Sequence, residues 1–197
     1  MTFKWVGKPI PRQDALTKVT GEVRYMSDLT FPGMLWGRIL RSPHPHALIK
    51  SIDISKAKAL PGVVAVLTHT DIVGLNAYGI VIQDQPVLCS DKVRFVGDSV
   101  AVLAAETKDL ADEALRLIEV TYELLPGVFD MHQALLPESP LLHEKGNILR
   151  HTAILYGDIG AGFAAADVIV EREYLTSRPM SAYLETEGGV AVACPLI

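Results

Sequence analysis

The sequence predicts an α+β fold in which short strands dominate and one helix is long enough to cover a sheet. Three observations predict it. Apolar and β-branched runs of strand length recur from Met34 to Leu125, separated by proline, glycine and asparagine turns. One segment, 108–118, sets its apolar residues at three- and four-residue spacing. Beyond Phe129 the chain loosens into a connector punctuated by Pro137, Pro140 and Gly146-Asn147, which marks a domain boundary.

The elements follow in order. The first thirty or so residues are irregular, broken by Gly7, Pro9, Pro11 and Gly21, and Pro32-Gly33 is a turn. Met34–Leu40 is a strand, and Ala47–Ile54, rich in isoleucine, is the next. Ser55 caps a short helical turn from Lys56 to Leu60 that ends at Pro61-Gly62. Val63–Thr68 is continuously apolar, the pattern of a strand buried on both faces. A surface loop runs from Gly74 to Asp91. The strands Val93–Val96 and Ser99–Ala105 flank Gly97-Asp98. Thr107 caps the helix Lys108–Ile118, with Leu110, Ala111, Ala114, Leu115, Leu117 and Ile118 inward. Glu119–Leu125 alternates in polarity and stops at Pro126-Gly127. After the connector, Asp158 caps a short helix through Ala166, Asp167–Ser177 is a β-branched strand, and Gly189–Ala193 is a last strand. The chain stops a few residues into that strand, as a fragment or a partner-completed subunit would.

Composition narrows the function. Of 197 residues 49% are hydrophobic and 21% charged, a globular balance. A net charge of -5 argues against a nucleic-acid footprint, which needs a clustered basic face, and no run is apolar enough to span a bilayer. The N-terminus lacks a signal core, and Cys89 and Cys194 lie too far apart for close-spaced zinc or cluster ligands. Two lone thiols and no secretory address point to the cytoplasm.

Four groups of residues invite chemistry. His44 and His46, in Arg41-Ser42-Pro43-His44-Pro45-His46-Ala47, would share a side of an extended chain and could face one metal. A site needs a further ligand, and His69, His132, His143 and His151 form no second pair. The flanking prolines equally suit a rigid corner between strands. Gly157-Asp158-Ile159-Gly160-Ala161-Gly162 has the setting of a nucleotide-binding turn. Its spacing is GxxGxG rather than GxGxxG, and Asp158 would occupy the helix N-terminus where a phosphate belongs. Glu185 and Glu187 are a carboxylate pair for acid–base work or cation binding, or else a solvated strand end. The cysteines suit a structural role, and no GxSxG supports a serine nucleophile.

A series of phrases in order carries a stronger signal. They are Gly7–Gly21, Pro32–Leu35, Leu40–Ala47, Leu60–Thr68, Pro86–Leu88, Val93–Ala101, Glu119–Pro126, Gly157–Glu171 and Ala182–Glu187. Together they resemble the molybdenum-binding subunit of the xanthine dehydrogenase/aldehyde oxidase family over nearly the whole chain. The resemblance implies an irregular arm over 1–17, an α/β-hammerhead domain over 18–128, a linker over 129–150, and over 151–197 an incomplete start of the molybdopterin-binding domain. It implies an assembly that hydroxylates heterocycles or aldehydes with water as the oxygen source. There an oxo-molybdenum centre and a glutamate base do the chemistry, and electrons leave through iron–sulfur clusters, often to FAD. The family's molybdenum subunits are several times longer, and their cofactor loops and catalytic glutamate lie downstream of the matched region. No catalytic, cofactor-binding or metal residue is therefore carried over, and Glu185 and Glu187 match a phrase that is not the base. The expected role is a non-catalytic N-terminal segment or short subunit, with no cofactor of its own. Its expected partners are the molybdopterin-binding portion, an iron–sulfur subunit and, in some assemblies, a FAD subunit, with no nucleic acid and no membrane. The irregular arm is the expected partner contact. The rival readings are a stand-alone hammerhead binding or assembly module without redox chemistry, and a small metal protein built on His44 and His46.

Overall fold

Two three-stranded antiparallel sheets organise the middle of the chain. They are seen in a computed structural model that describes residues 3–183 and 187–192. The chain divides into two compact units, Gly33–Gly157 and the termini Met1–Pro32 with Asp158–Ile197. The terminal unit holds two short helices, α1 (Ala15–Val19) and α4 (Ile159–Ala164). In the middle unit the elements are β1 (Trp36–Arg41), β2 (Ala47–Asp53), α2 (Ser55–Ala59), β3 (Val63–Leu67), β4 (Lys92–Val93), β5 (Ser99–Ala105), α3 (Lys108–Arg116) and β6 (Glu119–Leu124). The first sheet has the order β1-β5-β3 and the second β4-β2-β6.

β5 holds the centre because its residues are small or β-branched and apolar on both faces. Ala101, Leu103 and Ala105 face Ala57 of α2 and Ala111 and Ala114 of α3, with Val66 beside them. The two alanines let α3 lie close on the sheet. Val100, on the opposite side, joins Ala47, Cys89 and Val93 in a second core cluster. The register runs Trp36↔Ala105 to Leu40↔Ala101 along β1 and shifts at Leu40/Arg41, where the chain leaves the strand for the histidine corner. Thr107 caps α3 as expected, its hydroxyl accepting from Leu110 N at 3.2 Å. Arg38 of β1 forks onto Asp112 of α3, which lowers the pKa of Asp112 and raises that of Arg38. Lys50 with Glu123 and Lys56 with Glu119 pair across the second sheet and its border.

Several local expectations are corrected. β3 is an edge strand: Val66 is buried, but Val64 and Leu67 are exposed. Its apolar run therefore does not mean burial on both faces. The expected strand 93–96 stops after Val93, because the Asp98 carboxylate takes the Arg94 N–H (3.0 Å) that a ladder would use. Ser55 does not cap α2 but is its first residue, behind Ile54; the Asp53 carboxylate accepts from Ser55 N at 2.9 Å in a turn that leads into the helix. The loop before β4 is pinned. Asn76 donates to Leu88 O (2.7 Å) and accepts from Val87 N and Leu88 N, and Tyr78 pairs with Gln85. Gly79 makes that pairing possible, since its φ is +153° and a Cβ there would stand 1.9 Å from Ile82 O. Gly79→Ala is expected to dissolve the Tyr78–Gln85 pairing. Loss of protection at the Tyr78 and Gln85 amides in hydrogen exchange checks it.

In the terminal unit the five-residue α1 straddles the end of the expected arm over 1–17, and a 3-10 turn follows at Met26–Asp28. Lys18, then Arg12, hold the Asp14 carboxyl down at about 2. α4 begins at Asp158, whose carboxylate accepts from Ala161 N at 2.9 Å. Residues 167–183 and 187–192 lie in no helix or strand, so the expected strand 167–177 is absent among the described residues. The final expected strand is likewise absent over 189–192, and Ala193 lies outside the described residues. No described helix is long and apolar enough to cross a membrane.

Candidate functional site at the histidine corner

Between β1 and β2 the chain passes from one sheet to the other through Ser42-Pro43-His44-Pro45-His46. Ser42 is nearly fully buried and is held at both main-chain groups: its N–H donates to Asp98 O and its carbonyl accepts from Gly97 N, each at 2.8 Å. Its hydroxyl accepts from His44 N and donates to His44 O, both at 3.0 Å, which closes the turn on itself. Arg41 reaches across to Gly97 O at 2.8 Å. The turn that carries Asp98 and the turn that carries the histidines are thus one hydrogen-bonded unit.

The two imidazoles do different work. His44 stacks edge-on to Tyr122 of β6, with ring centroids 4.9 Å apart. His46 is 4% exposed, and its Nδ1 lies 2.7 Å from Pro126 O. A carbonyl can only accept, so Nδ1 carries a proton. The ring's Nε2 is buried without a hydrogen-bond partner among the described residues. Leu125 N donates to His46 O at 3.0 Å, so the corner also clasps the end of β6. Among the described residues no group of three or more His, Cys, Asp or Glu is arranged to hold a metal. His46→Ala is expected to destabilise the domain by about 1–3 kcal/mol, through the lost Nδ1–Pro126 O hydrogen bond and the Pro126 carbonyl it leaves unpaired. His44→Ala should cost under about 1 kcal/mol, since only a ring contact is lost. Denaturant midpoints of the two variants check the order.

Cys89 lies beneath the corner, fully buried. Burial first, and then the Asp98 charge, push its thiol from the ordinary 9.0 up to about 12. A protonated, enclosed thiol is no nucleophile. Burial also raises the Tyr122 hydroxyl, against a lowering hydrogen bond with Ser42. Cys89 gives a pH dependence whose sign is fixed. Its stabilising effect is present in full below pH 9 and is lost as pH rises toward 12, because the unfolded thiol ionises while the folded one stays protonated. In a Cys194→Ser background, Cys89 is expected to resist iodoacetamide at pH 8 in the native state and to label fully in denaturant. Peptide mapping checks it.

The other candidates do not join this site. In the Gly157–Gly162 turn the Asp158 carboxylate already occupies the α4 N-terminus, and α4 has only six residues. Glu187 is exposed, while Glu185 and Cys194 lie outside the described residues. A cavity of about 440 Å³ opens elsewhere in the middle unit, walled by Ile82, Phe129, Met131, Leu142 and Ile148, with His143 Nδ1 3.1 Å from an Asp84 carboxylate oxygen at its side. Sequence reasoning missed Asp98 and Asn76. Both sit in polar turn sequences, and nothing local marks Asp98 as 3% exposed.

A buried polar corner that joins two antiparallel sheets, with α2 and α3 against one of them, defines an α+β hammerhead scaffold. Residues 20–126 match the family described as aldehyde oxidase and xanthine dehydrogenase, a/b hammerhead domain, and the chain belongs to that family. Among relatives, it is 52% identical over 92% of its length to a probable xanthine dehydrogenase subunit of Bacillus subtilis, covering 24% of that protein. It is 43% identical over 96% of its length to the nicotinate dehydrogenase large molybdopterin subunit of Eubacterium barkeri, covering 44% of it. Among solved structures, a Cu,Mo-CO dehydrogenase matches 82% of this chain and 23% of its own at 38% identity, with a TM-score of 0.68. The chain thus spans about a quarter to under half the length of these relatives.

Proposed function

We propose that this chain is the N-terminal segment, or a short subunit, of a molybdenum hydroxylase of the xanthine dehydrogenase/aldehyde oxidase type. Its role there is scaffolding. The observation that carries this reading is the two-sheet domain with its histidine corner, in a chain that matches at high identity enzymes whose names carry molybdenum or molybdopterin. In the complete assembly the substrate is a heterocycle or an aldehyde and water supplies the oxygen.

The described residues do not fit a molybdopterin–molybdenum group. The glycine-rich start of α4 is filled by its own carboxylate, and the buried Cys89 thiol is held protonated. No catalytic step is assigned to them. The cofactor belongs to the molybdopterin-binding portion, iron–sulfur clusters to a second subunit and FAD to a third, all in the cytoplasm. The purified chain is expected to turn over neither aldehydes nor heterocycles with a dye acceptor. The source genome is expected to encode a molybdopterin-binding portion fused or adjacent to this chain. A genome with no such portion anywhere contradicts the reading.

A further inference from the structure

We propose that the cavity between the 74–91 loop and the segment 128–149 is a binding site for a small amphipathic carboxylate. Lys145 takes the charged head and the apolar walls take the body. The inference stands apart from the proposed subunit role. The cavity lies wholly within the middle unit, and its volume of about 440 Å³ is in the range of small-molecule pockets. Its lining is more apolar than polar, with Phe129, Met131, Leu142, Ile148 and Leu149 among the wall residues. Several of these are open to water: Phe129 is 73% exposed, Met131 67%, Ile148 61% and Leu149 66%. Large apolar side chains gathered round one concavity gain from an apolar ligand body that covers them.

The walls are held in place by hydrogen bonds of their own. Asn147 uses its whole amide on them. Its Oδ1 accepts from Leu142 N at 3.0 Å, and its Nδ2 donates to Ala134 O at 3.1 Å and to Pro140 O at 3.0 Å. Arg94 Nε donates to Leu142 O at 3.0 Å, which ties this wall to the chain just after β4. His143 Nδ1 lies 3.1 Å from an Asp84 carboxylate oxygen and joins the segment to the 74–91 loop. A wall fixed in this way loses little freedom when a ligand docks.

Charge selects the head group. Asp130 turns to its own backbone, accepting from His132 N at 2.8 Å and Gln133 N at 2.9 Å. Asp84 is engaged by His143. Among the described residues no hydrogen bond or ion pair holds the Lys145 ammonium, which lines the same cavity. An ammonium has three donors and no acceptor, so its complement is an acceptor, and a carboxylate gives the stronger, charge-assisted bond. A cationic head would meet Lys145 as a like charge and find both carboxylates already engaged.

The test uses the full chain with octanoate, octanamide and octylamine as probes, titrated by calorimetry and by amide chemical-shift mapping. Octanoate is expected to bind, with shifts confined to the 74–91 loop and 128–149. Hexanoate, two methylenes shorter, should bind about tenfold more weakly, as an apolar wall requires. Lys145→Ala should weaken octanoate by about fivefold or more and leave octanamide within about twofold. Lys145→Arg, which keeps the charge, should stay within about threefold of wild type. Lys145 is exposed, so denaturant midpoints of both variants should match wild type. Octylamine binding more tightly than octanoate overturns the charge assignment and the proposal with it. Octanoate binding that ignores Lys145→Ala, or that shifts amides elsewhere, overturns the site. No octanoate binding up to about 10 mM overturns it as well. None of these outcomes bears on the subunit role.

Discussion

Leu103→Ala is expected to lower the unfolding free energy by about 2–5 kcal/mol, more than any other substitution proposed for this chain. Leu103 is 3% exposed on β5, the middle strand of its sheet, and packs among Val66, Ala57, Ala111 and Ala114. Those neighbours are short, fixed on a strand and two helices, and cannot collapse into the space an isobutyl group leaves. Ala104→Gly, one residue along on the other face, would test backbone propensity instead, with an expected cost of about 1 kcal/mol or less. Denaturant titration of both variants checks the ratio. Equal losses would mean that the α3 face of β5 is not the core.

Asp98→Ala is expected to cost about 1–3 kcal/mol, chiefly through stranded partners rather than lost volume. Asp98 is 3% exposed, its carboxylate accepts from Arg94 N at 3.0 Å, and its charge helps to raise the Cys89 thiol. Removing it leaves the Arg94 N–H without its acceptor and takes away the negative charge that helps hold Cys89 protonated. Stability and thiol chemistry should therefore change together. In a Cys194→Ser background the variant should label with iodoacetamide at a lower pH than the wild type does. Stability that falls with no change in labelling would separate Asp98 from the thiol and break this account of the corner.

Much of the fold was legible because it is written in local periodicity. The spacing of Leu110, Ala111, Ala114 and Leu115 and the Thr107 cap define α3 without any tertiary information. The apolar runs that became β1, β2, β5 and β6 were bounded by turn residues, so their ends were fixed within a residue or two. Edge position was not legible. Val63–Leu67 has the composition of a central strand, and only its place beside β5 leaves Val64 and Leu67 facing out. The site was legible as a corner, from Pro43 and Pro45, but not in its wiring. Ser42 meets Asp98 and His46 meets Pro126 across long stretches of chain, and no local pattern encodes those pairs. The strand expected over 167–177 shows the reverse case. There the composition is clear, but a strand needs a neighbour, and none of the described residues provides one.

In its proposed role this chain is the scaffold to which a molybdenum-bearing polypeptide attaches. Co-expression with the molybdopterin-binding portion, followed by size-exclusion chromatography and metal analysis of each fraction, tests it most directly. The expected result is one peak in which this chain and that portion co-elute in equal amounts with stoichiometric molybdenum, while the chain expressed alone carries none. A chain that elutes by itself, with all the molybdenum in a separate peak, would contradict the claim.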